Sequence, residues 1–184
     1  MKYHLDWLLE KVEQEERVKY LFFWGHQPSK DGSVQATCFS QWWAGHPFEE
    51  DGVVYPTAEH YMMAGKAKVF EDQEHWEKII ACETAAEAKK LGRQVRNFEA
   101  AVWEEHRCPI VIQGNQLKFE QHEELKTFLL GTKQRVLVEA SPRDRIWGIG
   151  LGKNSEKAQH PSTWRGLNLL GFCLMEVRDL LQED

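Results

Sequence analysis

The chain has 184 residues, which is enough for one domain with a substantial core and short for two. Its formal net charge of −6 argues against a protein held on nucleic acid or anionic lipid by charge alone, and no apolar run approaches the roughly 18 residues needed to span a bilayer. The N-terminus lacks the features of a secretory signal and the four cysteines are too widely spaced for a zinc site or a disulfide framework, so we expect a reduced, cytoplasmic protein without a metal.

The hydrophobic pattern predicts an α+β fold that is predominantly helical, with about four short strands. An amphipathic helix over 2–19 is expected to form an N-terminal extension, residues 1–19, to a single compact domain over 20–184. Strands are expected at 20–24, 37–43, 135–140 and 146–151, the first two paired as a hairpin. Helices are expected at 57–70, 72–82, 85–93, 98–107, 123–130 and 167–181.

Local signals mark several element ends. Thr57, after Pro56, is expected to cap the helix over 57–70, and Thr84-x-x-Glu87 has the pattern of a capping box. Asp51-Gly52 predicts a turn before a short extended segment. Pro109 is expected to interrupt a helix and to lie in the first turn of the next one.

The helix over 57–70 carries the first candidate for chemistry. At helical spacing, Glu59 and Lys66 share a stripe with apolar residues, and the remaining positions are mostly small or aromatic. The two residues are about 10.5 Å apart along the axis, and the Lys66 side chain leans back toward Glu59. A desolvated lysine amine is a competent nucleophile for Schiff-base chemistry, and a nearby carboxylate can carry protons for it.

Both residues also have a purely structural interpretation. Glu59 lies in the first helical turn, where a carboxylate interacts favourably with the helix dipole by roughly 0.3–1 kcal/mol. Lys66 can pack its stem and keep its amine in water. Because charged residues are common on helices, periodicity alone favours this structural interpretation over the catalytic one.

The segment over 141–150 is the second candidate. Glycines beside a tryptophan let backbone N–H groups approach a ligand closely, the ring offers a stacking face, and two arginines offer phosphate contacts. The residues concerned are Gly148, Gly150, Trp147, Arg143 and Arg145. The alternative is a glycine-rich strand with a tryptophan in the core.

Four further positions have a functional and a structural interpretation. Asp144 is either a second carboxylate of the kind used in glycoside cleavage or a turn residue bonded to its own backbone. Trp103 and Arg107 either stack on and hold a nucleotide-like ligand or form a surface cation–π pair. Asn168 either contacts a ribose or base or caps the last helix. Signals for a histidine metal site, phosphoryl transfer, hydride transfer and serine hydrolysis are missing.

The stretch from Tyr55 to Ala67, Tyr-Pro-Thr-Ala-Glu-His-Tyr-Met-Met-Ala-Gly-Lys-Ala, resembles the signature helix of the NADAR superfamily, also called YbiA-like. Further matches follow in the family's order and extend the resemblance over about residues 20–180. They are Phe39-Ser40-Gln41-Trp42, Leu91-Gly92-Arg93, Trp103, Gly114-Asn115, Lys118-Phe119, Glu139-Ala140-Ser141-Pro142-x-Asp144, Trp147-Gly148-Ile149-Gly150, Trp164-x-Gly166-x-Asn168-x-Leu170-Gly171 and Leu174-Met175.

The resemblance implies a YbiA-like N-glycosidase, which hydrolyses the C–N bond between a ribose C1 and a nitrogenous base without a metal or redox cofactor. The substrates it implies are ADP-ribosylated guanine, in nucleotides or nucleic acid, and early ribosylamino-pyrimidine intermediates of riboflavin synthesis. It implies catalytic roles for Glu59, Lys66 and Asp144, and so reverses the preference drawn from periodicity. The expected substrate-binding residues are Ser40, Gln41, Trp42, His60, Tyr61, Trp103, Arg107, Trp147, Gly148, Gly150 and Asn168.

Two interpretations of function remain open. The first is a glycosidase in which Lys66 forms a Schiff base with the ribose, or in which water attacks directly with help from Glu59. The second is a non-catalytic sensor of ADP-ribose or a related nucleotide. This chain has Ser40-Gln41 and Met62-Met63 where many relatives have Ser-Asn and Tyr-Gln, so its substrate choice is expected to differ.

Overall fold

The computed structural model describes residues 1–183, which form seven α-helices and four β-strands. The predicted α+β, predominantly helical fold is confirmed. No helix within the described residues is long and apolar enough to cross a bilayer. In chain order the elements are α1 (Leu5–Glu13), β1 (Tyr20–Phe23), β2 (Phe48–Glu50), β3 (Val53–Tyr55), α2 (Ala58–Val69), α3 (Gln73–Ala81), α4 (Ala85–Gly92), α5 (Ala100–Glu120), α6 (Glu123–Leu130), β4 (Val136–Glu139) and α7 (Leu169–Glu183).

The contacts divide the chain into two units, each described by itself below. The terminal unit consists of Met1–Phe39 and the described chain from Glu124 onward, and the central unit consists of Ser40–Glu123. The predicted boundary between an extension over 1–19 and a domain over 20–184 stays a prediction.

In the terminal unit, β1 and β4 pair in parallel, with Tyr20 opposite Val136 and Phe23 opposite Glu139. The predicted hairpin between 20–24 and 37–43 is therefore wrong. Ala36–Phe39 instead forms a short 3-10 helix. Three of the four β4 residues are buried, which suits a strand paired in parallel and packed against α7.

The helix predicted over 2–19 is shorter than expected and ends at Glu13. Glutamates crowd its C-terminal end, where negative charge is unfavourable for the helix dipole, and Glu15 adopts a left-handed backbone with φ 58°. Before the helix, the Tyr3 hydroxyl donates to Asp179 Oδ2 at 2.7 Å, and the Tyr3 backbone N–H donates to Glu176. The N-terminus is thereby fastened to α7.

In the central unit, α2 packs against α3, α4 and α5. Two predicted helix N-termini are confirmed. Thr57 caps α2, and Thr84 with Glu87 forms the capping box of α4. The Asp51-Gly52 turn joins β2 to β3 as an antiparallel hairpin, and both turn residues have the positive φ that such a tight turn requires.

The expected interruption at Pro109 does not occur, because α5 continues through it. Pro109 is exposed, so the Glu105 carbonyl that loses its helical donor lies on a helix surface open to water. Beyond Pro109 a buried stripe holds the helix to α2. Its members are Val111, Gly114, Asn115, Lys118 and Phe119.

A buried carboxylate connects α3 to the segment after α4. Asp72 caps α3 and accepts hydrogen bonds from the Arg96 backbone N–H, from Arg96 Nε and from Arg96 Nη2, the last at 2.6 Å. His75 donates to it as well. The Arg96 guanidinium, with the N–H donors, holds the pKa of Asp72 well below its ordinary value.

Acid is expected to weaken the fold through Asp72. The pKa of an aspartate carboxyl in the unfolded chain is about 3.9. The contribution of Asp72 to the free energy of unfolding is therefore fully present above about pH 5, and it is lost as the pH falls through the lower pKa of the folded state. The difference in unfolding free energy between wild type and Asp72→Asn is therefore expected to be largest near neutral pH and to shrink below about pH 4. Urea unfolding across this range measures it. A change in unfolding free energy that is independent of pH, or equal to that caused by the exposed Glu83→Gln, would contradict a stabilising role of the Asp72 carboxylate.

Close packing of α5 on α2 gives a second expected outcome. A Cβ on Gly114 would lie 2.5 Å from Cδ1 of Tyr61, so Gly114→Ala is expected to cost about 1–3 kcal/mol of unfolding free energy. Gly152→Ala is the matched control, because nothing lies within 4 Å of its added Cβ and its φ is not positive. Chemical unfolding of the two variants tests this; equal stability would show that Tyr61 moves aside freely.

Candidate functional site

Glu59 lies in the first turn of α2 and is 3% exposed. The Thr57 cap begins the helix just before it, and the Glu59 backbone N–H donates to the Gln41 carbonyl at 2.9 Å. This burial agrees with the place of Glu59 on a helical stripe shared with apolar residues. Burying a carboxylate is costly in free energy, so its position is set by the packing and hydrogen bonds of the whole central unit.

The segment Ser40–Gln41 holds this part of α2 in place. Gln41 is buried, and its side chain accepts a hydrogen bond from Asn115 Nδ2 at 2.7 Å while donating to the Ala58 carbonyl. Lys118 is 1% exposed and donates its Nζ proton to the Ser40 carbonyl at 3.3 Å. The backbone N–H of Glu59 and the buried Lys118 ammonium therefore both donate to carbonyls of the same two-residue segment.

Lys66 is half-buried on the same helix, seven residues after Glu59. Its Nζ donates to the Gly92 carbonyl at 2.8 Å and lies 4.1 Å from the ring centroid of Phe98 and 5.8 Å from that of Trp103. Burial lowers the pKa of the amine below its ordinary value. The amine is therefore easier to deprotonate than a surface lysine, as a nucleophile requires.

Trp103 and Arg107 lie one turn apart on the part of α5 that precedes Pro109. The cation over the Trp103 ring is Lys66. Arg107 is mostly buried and reaches Glu104 at 3.7 Å, and its Nε finds no acceptor among residues 1–183. A buried guanidinium N–H without an acceptor is costly, which makes Arg107 a candidate for bonding to a ligand.

His60 and Tyr61 use their polar atoms within the central unit. His60 is fully buried; its Nε2–H donates to the Cys82 carbonyl and its Nδ1 accepts from the Thr57 hydroxyl, while burial lowers its pKa and keeps it neutral. The Tyr61 hydroxyl donates to Glu50 at 2.9 Å, and burial raises its pKa. Trp42 is half-buried, with Lys89 Nζ 5.6 Å from its ring centroid.

In the terminal unit, the residues over 146–151 form a sequence of bends, so the predicted strand is wrong. Asp144 Oδ1 accepts hydrogen bonds from the backbone N–H groups of Ile146 and Trp147, at 2.9 and 2.8 Å. Its own carbonyl accepts from Gly150. These bonds turn the chain back on itself, which agrees with the structural interpretation of Asp144 as a turn residue.

Positions 148 and 150 both require glycine. Gly148 is close to neighbouring backbone, and Gly150 has a left-handed backbone conformation. A Cβ on Gly148 would lie 2.9 Å from the Glu139 carbonyl oxygen, and Gly150 has φ +66°. Asn168 is fully buried with φ 55°; its Oδ1 accepts from the Glu139 backbone N–H and its Nδ2 donates to the Leu137 carbonyl, both at 2.9 Å. Asn168 thus pairs with the backbone of β4 and fixes the start of α7.

The structure distributes the predicted residues over the two units, and their catalytic and binding roles stay predictions. The central unit holds Ser40, Gln41, Trp42, Glu59, His60, Tyr61, Lys66, Trp103 and Arg107. The terminal unit holds Asp144, Trp147, Gly148, Gly150 and Asn168.

Two buried polar residues, Asn115 and Lys118, received no role from the sequence. Their spacing of three along α5, on the stripe that includes the buried Val111, is the signal that points to them. A lysine in an apolar helical stripe is rarely buried without a charge or carbonyl to receive its protons.

The sequence is similar to known proteins over most of its length. The NADAR domain family matches residues 22–182. The chain is 42% identical over 172 residues to "N-glycosidase R617" of Acanthamoeba polyphaga mimivirus, covering 91% of this chain and 99% of the relative. It is 33% identical over 138 residues to "N-glycosidase YbiA" of Escherichia coli, covering 75% and 78% of the two chains.

The NMR structure of Escherichia coli YbiA superposes with a TM-score of 0.71 at 30% identity, over 91% of this chain and 87% of that one. A third relative, "Riboflavin biosynthesis protein VVA0006" of Vibrio vulnificus, is 33% identical over 132 residues, which are 72% of this chain and 32% of the relative. Similarity of this extent to proteins named N-glycosidases indicates that this chain is an enzyme, a hydrolase of glycosidic bonds. It belongs to the NADAR domain family.

Proposed function

We propose that this N-glycosidase hydrolyses the bond between ribose C1 and a base nitrogen in ADP-ribosylated guanine or in an early ribosylamino-pyrimidine intermediate of riboflavin synthesis. The observation that carries the proposal is that one helix holds both a buried carboxylate, Glu59, and a half-buried lysine, Lys66, whose pKa is lowered by burial. The names of the mimivirus and Escherichia coli relatives support the reaction, and the name of the Vibrio relative supports the riboflavin substrate class. The ADP-ribosylated guanine class rests on the family resemblance alone. The predicted cytoplasmic location stays a prediction.

In the proposed reaction, the neutral Lys66 amine attacks ribose C1. The C1–N bond breaks, its electron pair goes to the base nitrogen, and that nitrogen takes a proton from a carboxylic acid. The carboxylate so formed takes the proton that the attached amine loses and gives it to the ring oxygen, as the C1–O bond breaks and the ribose opens to a Schiff base on Lys66. Water then adds to C1 and the bond between C1 and the lysine nitrogen breaks, which releases the sugar as an aldehyde and restores the amine.

We assign the acid to Glu59. Oδ1 of Asp144, the other candidate, accepts hydrogen bonds from two backbone N–H groups of its own loop. Glu59 is buried in the first turn of α2, the helix that also carries Lys66. The half-buried rings of Trp103 and Trp42, with Arg107, supply faces and donors suited to a base and a ribose.

Direct hydrolysis is the alternative within the same function. In that route Glu59 activates water or stabilises an oxocarbenium-like transition state, and Lys66 forms no bond to the sugar. Lys66 then acts only through its charge. The two routes differ in whether a covalent intermediate exists, and this difference can be measured directly.

Replacing Glu59 tests the function. Purified wild type is expected to release free base from ADP-ribosylated guanosine or from the ribosylamino-pyrimidine, and Glu59→Gln is expected to lower the rate by about 100-fold or more, because the amide cannot transfer a proton. Mass spectrometry of the released base measures this. The exposed Glu83→Gln is the control for a loss of charge at the surface and is expected to keep the wild-type rate.

Three outcomes are informative. Release in wild type and Glu83→Gln but not in Glu59→Gln supports the glycosidase and selects its substrate. Binding of either compound without release, in folded wild-type protein, would favour the nucleotide sensor instead. Full activity of Glu59→Gln would remove the carboxylate from the mechanism.

Borohydride trapping tests the covalent step. Reduction during turnover is expected to link the sugar to Lys66 irreversibly and to add its mass to the peptide that contains this residue, since borohydride reduces a Schiff base to a stable amine. The adduct is expected in wild type and in Lys68→Ala, whose lysine is exposed on the same helix, and is expected to disappear in Lys66→Ala. An active Lys66→Ala, or an adduct elsewhere, would leave direct hydrolysis as the route.

A further inference from the structure

Phe98 lies beside the proposed nucleophile and received no role from the sequence. Its ring centroid is 4.1 Å from Nζ of Lys66, and the residue is 46% exposed. Single exposed apolar residues are ordinary on protein surfaces and need no explanation. This one differs, because its ring lies against an amine that burial makes easier to deprotonate.

Contacts of the central unit hold the ring in this place. Two residues before Phe98, the backbone N–H and the guanidinium of Arg96 donate to the buried Asp72. Asn97 then has φ 56°, a left-handed conformation that turns the chain. The Phe98 ring also packs edge to face on the buried Phe70, with the ring centroids 5.3 Å apart. The ring is therefore positioned by its neighbours and still partly open to solvent.

The surroundings of the Lys66 amine place Phe98 close to the reacting atom. Nζ donates to the Gly92 carbonyl, and two rings lie within cation–π distance of it. The Phe98 centroid, at 4.1 Å, is nearer than the Trp103 centroid, at 5.8 Å. Phe98 thus contacts the nitrogen that forms the covalent bond in the Schiff-base route.

The covalent route limits how far the sugar can be from this ring. A single C–N bond is about 1.5 Å long. With Nζ in its place, a ribose C1 bonded to Lys66 therefore lies within about 5.6 Å of the Phe98 ring centroid, whatever the direction of the new bond. The ribose is then an immediate neighbour of an exposed ring, on which its apolar C–H groups can pack.

We propose that Phe98 is a further substrate-contacting residue, whose exposed ring packs against the ribose at the carbon that Lys66 attacks. The proposal rests on the proposed function, because Lys66 is what brings the sugar to the ring. It assigns recognition of the sugar, and not of the base, to Phe98. A ribose without a base is therefore sufficient to test the contact.

Reductive labelling of the full chain with free D-ribose or with formaldehyde tests the contact without base release. In either case the Lys66 amine and the aldehyde carbon form a Schiff base with loss of water, and hydride from added cyanoborohydride reduces it to a stable amine. Formaldehyde reports the reactivity of the amine alone, because it has no sugar to contact the ring. Tandem mass spectrometry gives both labelling rates at Lys66 and at the exposed Lys68.

The ratio of ribose to formaldehyde labelling at Lys66 is the quantity that Phe98 is expected to change. It is expected to fall about tenfold in Phe98→Ala and Phe98→Leu, which lack the flat ring, and to stay within about twofold in Phe98→Tyr, which keeps it. Val54→Ala is the matched control, because it shortens another exposed apolar side chain of the central unit; its ratio is expected to equal that of wild type.

Three results would overturn the proposal. They are a wild-type ratio no higher at Lys66 than at Lys68, an unchanged ratio in Phe98→Leu, or an equal fall of both labels in Phe98→Leu, which would show that the ring acts only on the amine. Thermal midpoints are compared first; where Phe98→Ala is destabilised, Phe98→Leu decides, because leucine still packs on Phe70. Failure of the proposed function would show separately, as a ribose adduct that depends on Phe98 in a protein that releases no base.

Discussion

The central unit depends on the hydrogen bonds made by Ser40–Gln41. This short segment is irregular in conformation, yet its carbonyls receive the Glu59 backbone N–H and the buried Lys118 ammonium, and its amide side chain bonds to Asn115. Each of these groups would be costly to bury alone. Together they satisfy one another, so the first turn of α2, where the carboxylate lies, is positioned by a network and not by the helix itself.

Local sequence rules predicted the elements whose ends are decided locally. Thr57, Thr84 with Glu87, and Asp51-Gly52 mark caps and a turn that the structure contains. The rules failed where a distant partner decides. β1 pairs with β4, more than a hundred residues later, and no local pattern encodes that choice. The bends over 146–151 likewise follow from bonds to the remote Glu139 and Asn168, so alternation of glycine and apolar residues was misleading there.

The candidate site, too, could be predicted from the sequence only in part. The spacing predicted that α2 is apolar on most sides and that Glu59 and Lys66 share a stripe with apolar residues. The structure buries Glu59 there and partly buries Lys66. What the spacing could not give was the direction of each polar group. The ring nitrogens of His60 and the amide of Asn168 are used inside the fold, a fact that depends on the Cys82 and β4 carbonyls brought near them by tertiary packing.

Pro109 divides α5 into two parts that differ in how firmly they are packed. After Pro109, the helix is held by its buried stripe. Before it, the residues 100–108 are exposed or only partly buried, and the helical hydrogen bond to the Glu105 carbonyl is missing. The first part can therefore loosen or tilt without disturbing Asn115 and Lys118. Trp103 and Arg107 belong to that first part, so their side chains can change position while the hydrogen bonds of Ser40–Gln41 with α2, Asn115 and Lys118 keep their geometry.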